Sequence, residues 1–103
     1  KRFAKIGGEM VSLTAVEQML DKMAPDFMYG VVAINDDKQG EQLVLMTNNP
    51  DIAQNDVTTF FKQNGISELW IPKKIHFMEE LPVLGIGKID YVSAKRIAEE
   101  IFS

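Results

Sequence analysis

Phe27-Met28-Tyr29-Gly30-Val31-Val32-Ala33-Ile34-Asn35-Asp36-Asp37-Lys38-Gln39-Gly40-Glu41-Gln42-Leu43-Val44-Leu45-Met46 is the stretch that decides the fold. Residues 27–34 are β-branched and aromatic, and residues 43–46 are a second apolar run. Asn35 to Gly40 between them is turn chemistry, so the two runs are expected to pair as an antiparallel hairpin.

Working outward, Thr14-Ala15-Val16-Glu17 has capping-box spacing, and a helix is expected to open at Thr14. Val16, Met19, Leu20 and Met23 recur at three- and four-residue spacing until Pro25 stops the helix at about Met23 or Ala24. Ahead of it, Phe3-Ala4-Lys5-Ile6, Gly7-Gly8 and Glu9-Met10-Val11 read as two short strands around a glycine turn. Beyond the hairpin, Asn48-Asn49-Pro50-Asp51 breaks the pattern. Ile52, Val57, Phe60 and Phe61 are then spaced as a helix face, closed by Asn64-Gly65 with Ile66 as the C-terminal contact. Lys73 to Met78 suits a strand with Ile75 and Phe77 on one face and His76 on a wet one. Ser93 is expected to cap a last helix carrying Ile97, Ile101 and Phe102. The order predicts an α+β domain: a small, mostly antiparallel sheet with an N-terminal β-hairpin, covered by about three helices.

The 103 residues suffice for one modest core, and no repeat or linker divides residues 1–103, so a single domain is expected. With 46% hydrophobic and 25% charged residues the composition is that of a soluble globular protein. No apolar run approaches the roughly 20 residues of a membrane span, and Lys1 to Gly8 do not build a signal peptide. Without cysteine there is no disulfide, thiolate nucleophile or Cys-based zinc site, which fits a reducing cytoplasm; the lone His76 builds no metal cluster. The net charge of -4 argues against general nucleic-acid binding. The cations are uneven, however: Lys1, Arg2 and Lys5 crowd the start, while Lys73, Lys74, Lys88, Lys95 and Arg96 lie in the last third. Trp70 and the methionines read as core or interface residues.

The segment with the most unusual chemistry is Glu80-Leu81-Pro82-Val83-Leu84-Gly85-Ile86-Gly87-Lys88-Ile89-Asp90-Tyr91, a glycine-flanked lysine on a loop between a strand and a helix. Gly85 and Gly87 allow positive φ and close approach to a ligand, and Lys88 offers a compact cation for a phosphate or carboxylate. It is not a P-loop, which needs four residues between its glycines and Ser or Thr after the lysine. Spacing alone favours the plainer alternative, a tight turn with a solvated lysine.

This segment resembles the last signature of the adenylate-forming (AMP-binding) acyl-activating superfamily, which reads Pro, a few residues, Gly-Lys. The start of the chain resembles another signature of that superfamily: a hinge residue, Asp or Lys, a short hairpin with a glycine, then a helix opening near a glutamate. Matching without gaps puts the hinge on Lys1, the glycine on Gly8 and the glutamate on Glu17. Two signatures in the right order at both ends of the chain span the C-terminal domain of that superfamily. Residues 3–6, 8–13 and 84–90 are most similar to its acyl-acyl-carrier-protein synthetase / 2-acylglycerophosphoethanolamine acyltransferase branch. The chain departs from the commonest pattern at Gly85 and Ile86, where many members carry Thr or Ser nearer the lysine.

The resemblance implies the mobile C-terminal lid of a larger ligase. A large N-terminal adenylation domain, outside this chain, would bind ATP and magnesium. Such enzymes join a carboxylate to the α-phosphate of ATP, then move the acyl group from AMP to a phosphopantetheine thiol. On this likeness Lys88 would bridge carboxylate and α-phosphate, with Gly85 and Gly87 supporting its loop. Lys1 would be the hinge of a swing that brings Gly8 and Lys5 to the pantetheine tunnel. The acceptor would be acyl carrier protein or coenzyme A, in a cytoplasmic enzyme whose attachment to the inner membrane is left open. The chain alone is expected to be inactive. Two alternatives stand beside this: the lid of an acyl-CoA synthetase, and a non-catalytic α+β interaction module, the latter favoured if Lys88 points into bulk water and the chain occurs naturally without a large partner.

Overall fold

Residues 31–34 and 43–46 are all buried, because the sheet that they form is covered on both faces. The computed structural model describes residues 2–102. In chain order the elements are β1 (Phe3–Ile6), β2 (Glu9–Ser12), α1 (Leu13–Met23), β3 (Tyr29–Asp36), β4 (Gly40–Thr47), α2 (Gln54–Gln63), a short 3-10 helix (Glu68–Trp70), β5 (Lys74–Phe77) and α3 (Tyr91–Phe102). β3 and β4 form the expected antiparallel hairpin, in register from Tyr29↔Thr47 to Asp36↔Gly40. The turn is tighter than the sequence suggested. Asp36 Oδ2 accepts from the Gln39 N–H at 2.8 Å, and Gly40 takes a φ of 90°.

The expected α+β class holds, and the pairing adds two details. Among the described residues the N-terminal hairpin is a sheet of its own, β1 pairing with β2 from Phe3↔Ser12 to Ile6↔Glu9, and the second sheet has the order β3-β4-β5. β5 runs parallel to β4, Val44↔Lys74 to Thr47↔Phe77, because α2 crosses over and returns the chain to the same end of β4.

On one face of the larger sheet, Val31, Ala33, Leu43 and Leu45 pack against α1, α2 and the β1-β2 hairpin. On the other, Val32, Ile34, Val44 and Met46 pack against α3 and Leu81. α2 ends as expected: the Ile66 N–H donates to Phe61 O at 3.0 Å and the Gly65 N–H to Lys62 O at 3.1 Å, with Gly65 at a φ of 71°.

Both expected N-caps differ. α1 opens at Leu13, and Ser12 rather than Thr14 caps it, its Oγ accepting from Ala15 N at 3.1 Å. The reason lies in the hairpin: β2 runs straight into the helix, and the Leu13 N–H is already taken by Arg2 O at 3.1 Å. α3 is capped by Asp90, whose Oδ1 accepts from the Ser93 N–H and whose Oδ2 accepts from the Ser93 hydroxyl, at 3.2 and 2.8 Å. Ser93 therefore lies inside the helix. The fully buried residues of α3 are Ala94 and Ala98, while Ile101 is half exposed, because the helix axis lies close to the sheet where only small side chains fit. On β5 the wet face also differs. His76 is half-buried, edge-on to the Phe102 ring at 6.3 Å, and the exposed aromatic is Phe77.

Candidate functional site

The lysine segment folds into a small hairpin of its own. Val83 and Ile89 bridge antiparallel, the Leu84 N–H donates to Lys88 O at 2.7 Å, the Gly87 N–H to Leu84 O at 2.8 Å, and the Asp90 N–H to Pro82 O at 2.9 Å. Gly87 has a φ of 88°, a conformation strained for a residue with a Cβ. Gly85 does not share it, so only one of the two glycines is required by backbone geometry. The hairpin is anchored through Ile89. A Cβ on Gly30 would lie 3.3 Å from Ile89 Cδ1 and 3.7 Å from a Leu81 methyl, so the bare backbone of Gly30 lets the loop's base sit on the sheet. Above that base the tip projects freely, with Val83, Leu84, Ile86 and Lys88 all exposed. Lys88 forms no ion pair with any described residue.

The glycine hairpin lies elsewhere. Gly7 and Gly8 take φ values of 57° and 83°, the pair of positive angles that a two-residue turn between twisted strands requires. Gly8 is exposed with nothing within 4 Å of an added Cβ, whereas a Cβ on Gly7 would touch Leu69 at 3.6 Å. Lys5 is exposed on the outer face of β1 opposite Met10, and its N–H donates to Glu41 Oε1 at 2.7 Å. The hairpin tip is tied to the β3-β4 turn by the Gly7 N–H, 2.9 Å from Gln39 O. That turn and Gly30, where the lysine hairpin rests, are separated by the length of β3 between Gly30 and Asp36, about 20 Å at strand rise. The glycine hairpin packs with the Val31 face of the sheet and the lysine hairpin with the Val32 face. The chain thus presents the two segments from opposite ends and opposite faces. The proposed hinge, Lys1, lies outside the described residues.

Between them is a cluster that the sequence reading missed. β3 is an edge strand, and the groups of Val31 on its open side are satisfied by side chains: Arg2 Nη1 donates to Val31 O at 3.0 Å, and Val31 N–H donates to Glu17 Oε2 at 2.8 Å. Arg2 Nη2 meets Glu17 Oε1 at 2.6 Å, the Tyr91 hydroxyl donates to Glu17 Oε2 at 2.9 Å, and the Arg2 guanidinium lies 3.7 Å from the Tyr91 ring centroid. Burial, aided by the bond to Glu17, pushes the Tyr91 hydroxyl up to about 12, so it stays a donor throughout the physiological range. One signal was available. Leu13, Val16, Glu17 and Leu20 are spaced i, i+3, i+4, i+7, so Glu17 occupies a place on the buried stripe, where a carboxylate needs partners.

Trp70 is a core anchor, packed on the first face, with its indole N–H donating to Glu9 Oε1 at 3.2 Å. Among the described residues no cluster of His, Cys, Asp or Glu could hold a metal ion, and no helix is long and apolar enough to cross a membrane.

An α+β unit of this architecture is the C-terminal domain of adenylate-forming enzymes. No family model matches the chain. The peroxisomal trans-cinnamate:CoA ligase of Petunia hybrida is 31% identical over 90% of this chain and 17% of its own length. The vibriobactin-specific 2,3-dihydroxybenzoate-AMP ligase of Vibrio cholerae is 27% identical over 87% of this chain and 17% of its own. Among solved structures, apo MbtA of Mycobacterium smegmatis superposes with a TM-score of 0.83 at 27% identity, over 93% of this chain and 19% of that one. The chain's relatives and structural neighbours are AMP-binding adenylate-forming ligases, and it spans only about a sixth of the length of the relatives and about a fifth of that of the neighbours.

Proposed function

We propose that residues 1–103 form the mobile C-terminal lid of an ATP-dependent acid-thiol ligase and carry the lysine for its first half-reaction. The observation that carries this reading is Lys88 on a projecting hairpin at one end of a domain whose other end bears the open glycine turn at Gly8. A lid that serves two half-reactions in turn needs two working surfaces, and a rigid domain can offer them only if they point apart. The exposure of Lys88 agrees with a non-catalytic module as well as with a lysine whose partner surface belongs to another domain. The short span relative to the ligases favours the second.

The chemistry follows from charge. A carboxylate and a triphosphate repel until a cation sits between them, and an ammonium held on a preorganised hairpin stabilises that encounter as the bond to the α-phosphate forms and pyrophosphate leaves. The lysine hairpin then withdraws and rotation about Lys1 presents Gly8 and Lys5, where an open glycine leaves room for a phosphopantetheine arm. ATP and magnesium would be bound mainly by the N-terminal domain.

The finer reading is a fatty acyl-acyl-carrier-protein synthetase fused to a phospholipid acyltransferase, supported by the likeness of residues 3–6, 8–13 and 84–90 to that branch. A second reading, the lid of an acyl- or aryl-CoA ligase, is favoured by the trans-cinnamate:CoA ligase relative. Acidic carrier protein and the phosphates of coenzyme A both suit Lys1, Arg2 and Lys5.

The test is Lys88→Ala in the full-length protein, with the half-reactions measured separately. Acyl-adenylate formation should fall by about 10² to 10³, as for loss of a single oxyanion donor, while transfer from a supplied acyl adenylate to thiol stays near the wild-type rate. Undiminished adenylation would falsify the role given to Lys88.

A further inference from the structure

Arg2 and Tyr91 stand at the two ends of the lid's lever. Arg2 follows the proposed hinge Lys1 directly, and Tyr91 opens α3 three residues after Lys88. Both side chains end on one carboxylate, Arg2 on Glu17 Oε1 at 2.6 Å and Tyr91 on Glu17 Oε2 at 2.9 Å, and the guanidinium lies against the Tyr91 ring. The main chain of Arg2 is fixed as well, its carbonyl accepting from Leu13 N at 3.1 Å. Arg2 is therefore fixed to the domain through both its main chain and its side chain.

At the other end only Ile89 and Asp90 separate Lys88 from the tie. Ile89 is seated on Gly30, and Asp90 is held by Pro82 O and by Ser93. α3 itself meets the sheet through the buried Ala94 and Ala98, with Tyr91, Ile97 and Phe102 packed beside them and only partly buried. The fully buried contacts are methyl groups, which interdigitate little, so the directional bonds of Tyr91 add to the packing of Ile97 and Phe102 in fixing the helix at its start.

We infer that the Arg2–Glu17–Tyr91 tie is a positioning device, which holds the lysine hairpin at a constant place relative to the hinge so that the swing delivers Lys88 in register. The inference rests on Lys88 being the adenylation lysine. A displacement of about 1 Å at a reacting group can cost about 10²-fold, so a lever pivoting at Lys1 needs such a tie. The glycine hairpin follows the main chain of Arg2, which is held by the Leu13 N–H and by the pairing of β1 with β2 rather than by Tyr91. Tyr91 is accordingly a positioning residue for the first half-reaction alone.

The experiment compares Tyr91→Ala, Tyr91→Phe and Lys88→Ala in the full-length protein. Each is assayed for acyl-adenylate formation, for transfer from supplied acyl adenylate, and for Tm. Tyr91→Ala should lower the adenylation kcat about 10- to 100-fold with the KM for ATP unchanged, and leave transfer within about twofold. Tyr91→Phe keeps the ring beneath Arg2 and removes only the hydroxyl. It should show the same selectivity with a smaller loss, and it decides the question if Tyr91→Ala does not fold. Equal losses in both half-reactions would mean a merely structural role and overturn the inference. Full adenylation by the Tyr91 variants beside an inactive Lys88→Ala would overturn the tie but leave the lysine's role standing. Full adenylation by Lys88→Ala would overturn the function reading, and the tie's catalytic purpose with it.

Discussion

The carboxylate of Glu17 receives the main-chain N–H of Val31 at 2.8 Å, on the side of β3 that no strand among the described residues covers. A side chain thus stands where a neighbouring strand's carbonyl would. With Arg2 on the Val31 carbonyl it closes part of an edge that would otherwise offer pairing to another chain.

Removing that carboxylate leaves the Val31 N–H and the Tyr91 hydroxyl without their acceptor and takes the counter-charge from a guanidinium that keeps only Val31 O and Thr14 Oγ1 as acceptors. Glu17→Ala should therefore destabilise the domain by about 2 to 4 kcal/mol, well above the cost of trimming an exposed helix residue. Glu17→Gln keeps one acceptor oxygen and should cost less. Urea denaturation followed by circular dichroism gives both values, and a loss under about 0.5 kcal/mol for Glu17→Ala would mean that water replaces the carboxylate.

Asp90 makes the stability of α3 depend on acid. Its two bonds from Ser93 hold the carboxyl below its ordinary value of 3.8, the hydroxyl bond contributing most. A depressed folded-state value adds stability that is fully present above the unfolded value and is lost as pH falls through the folded one. The wild-type urea midpoint should accordingly exceed that of Asp90→Asn by a constant amount above about pH 5, and the gap should close below about pH 4. Asparagine caps helices too, so the comparison isolates the charge. Curves that stay parallel down to pH 2 would rule this contribution out.

Gly8 separates folding from function. An added side chain meets nothing within 4 Å in this domain, so Gly8→Leu should cost only the strain of a φ of 83°, about 1 to 2 kcal/mol. In the full-length protein it should spare adenylation and slow transfer to the thiol at least tenfold, because the side chain would occupy the proposed pantetheine tunnel. Losing both half-reactions in equal measure would assign the hairpin to folding instead.

What residues close in sequence settle by themselves was legible from the chain alone. The paired glycines of the first hairpin, the Asn64-Gly65-Ile66 helix end and the turn from Asn35 to Gly40 are each decided within a few residues, by φ requirements and by side chains that bond their own backbone. The α+β class follows from the order of those pieces, and the signatures at the two ends pointed to Gly8 and Lys88. Choices between equally competent local partners were not legible. Ser12 and Thr14 both suit an N-cap, as do Asp90 and Ser93; the winner depends on where β2 pairs with β1 and where the lysine hairpin closes. The parallel docking of β5 needed the α2 crossover, and the alanine stripe of α3 needed the closeness of the sheet. The Arg2–Glu17–Tyr91 tie joins residues 15 and 74 positions apart. No local propensity encodes such a contact: Glu17 marks itself only as a charge on an apolar stripe, and its partners become neighbours once burial has brought α1, β3 and α3 around one edge of the sheet.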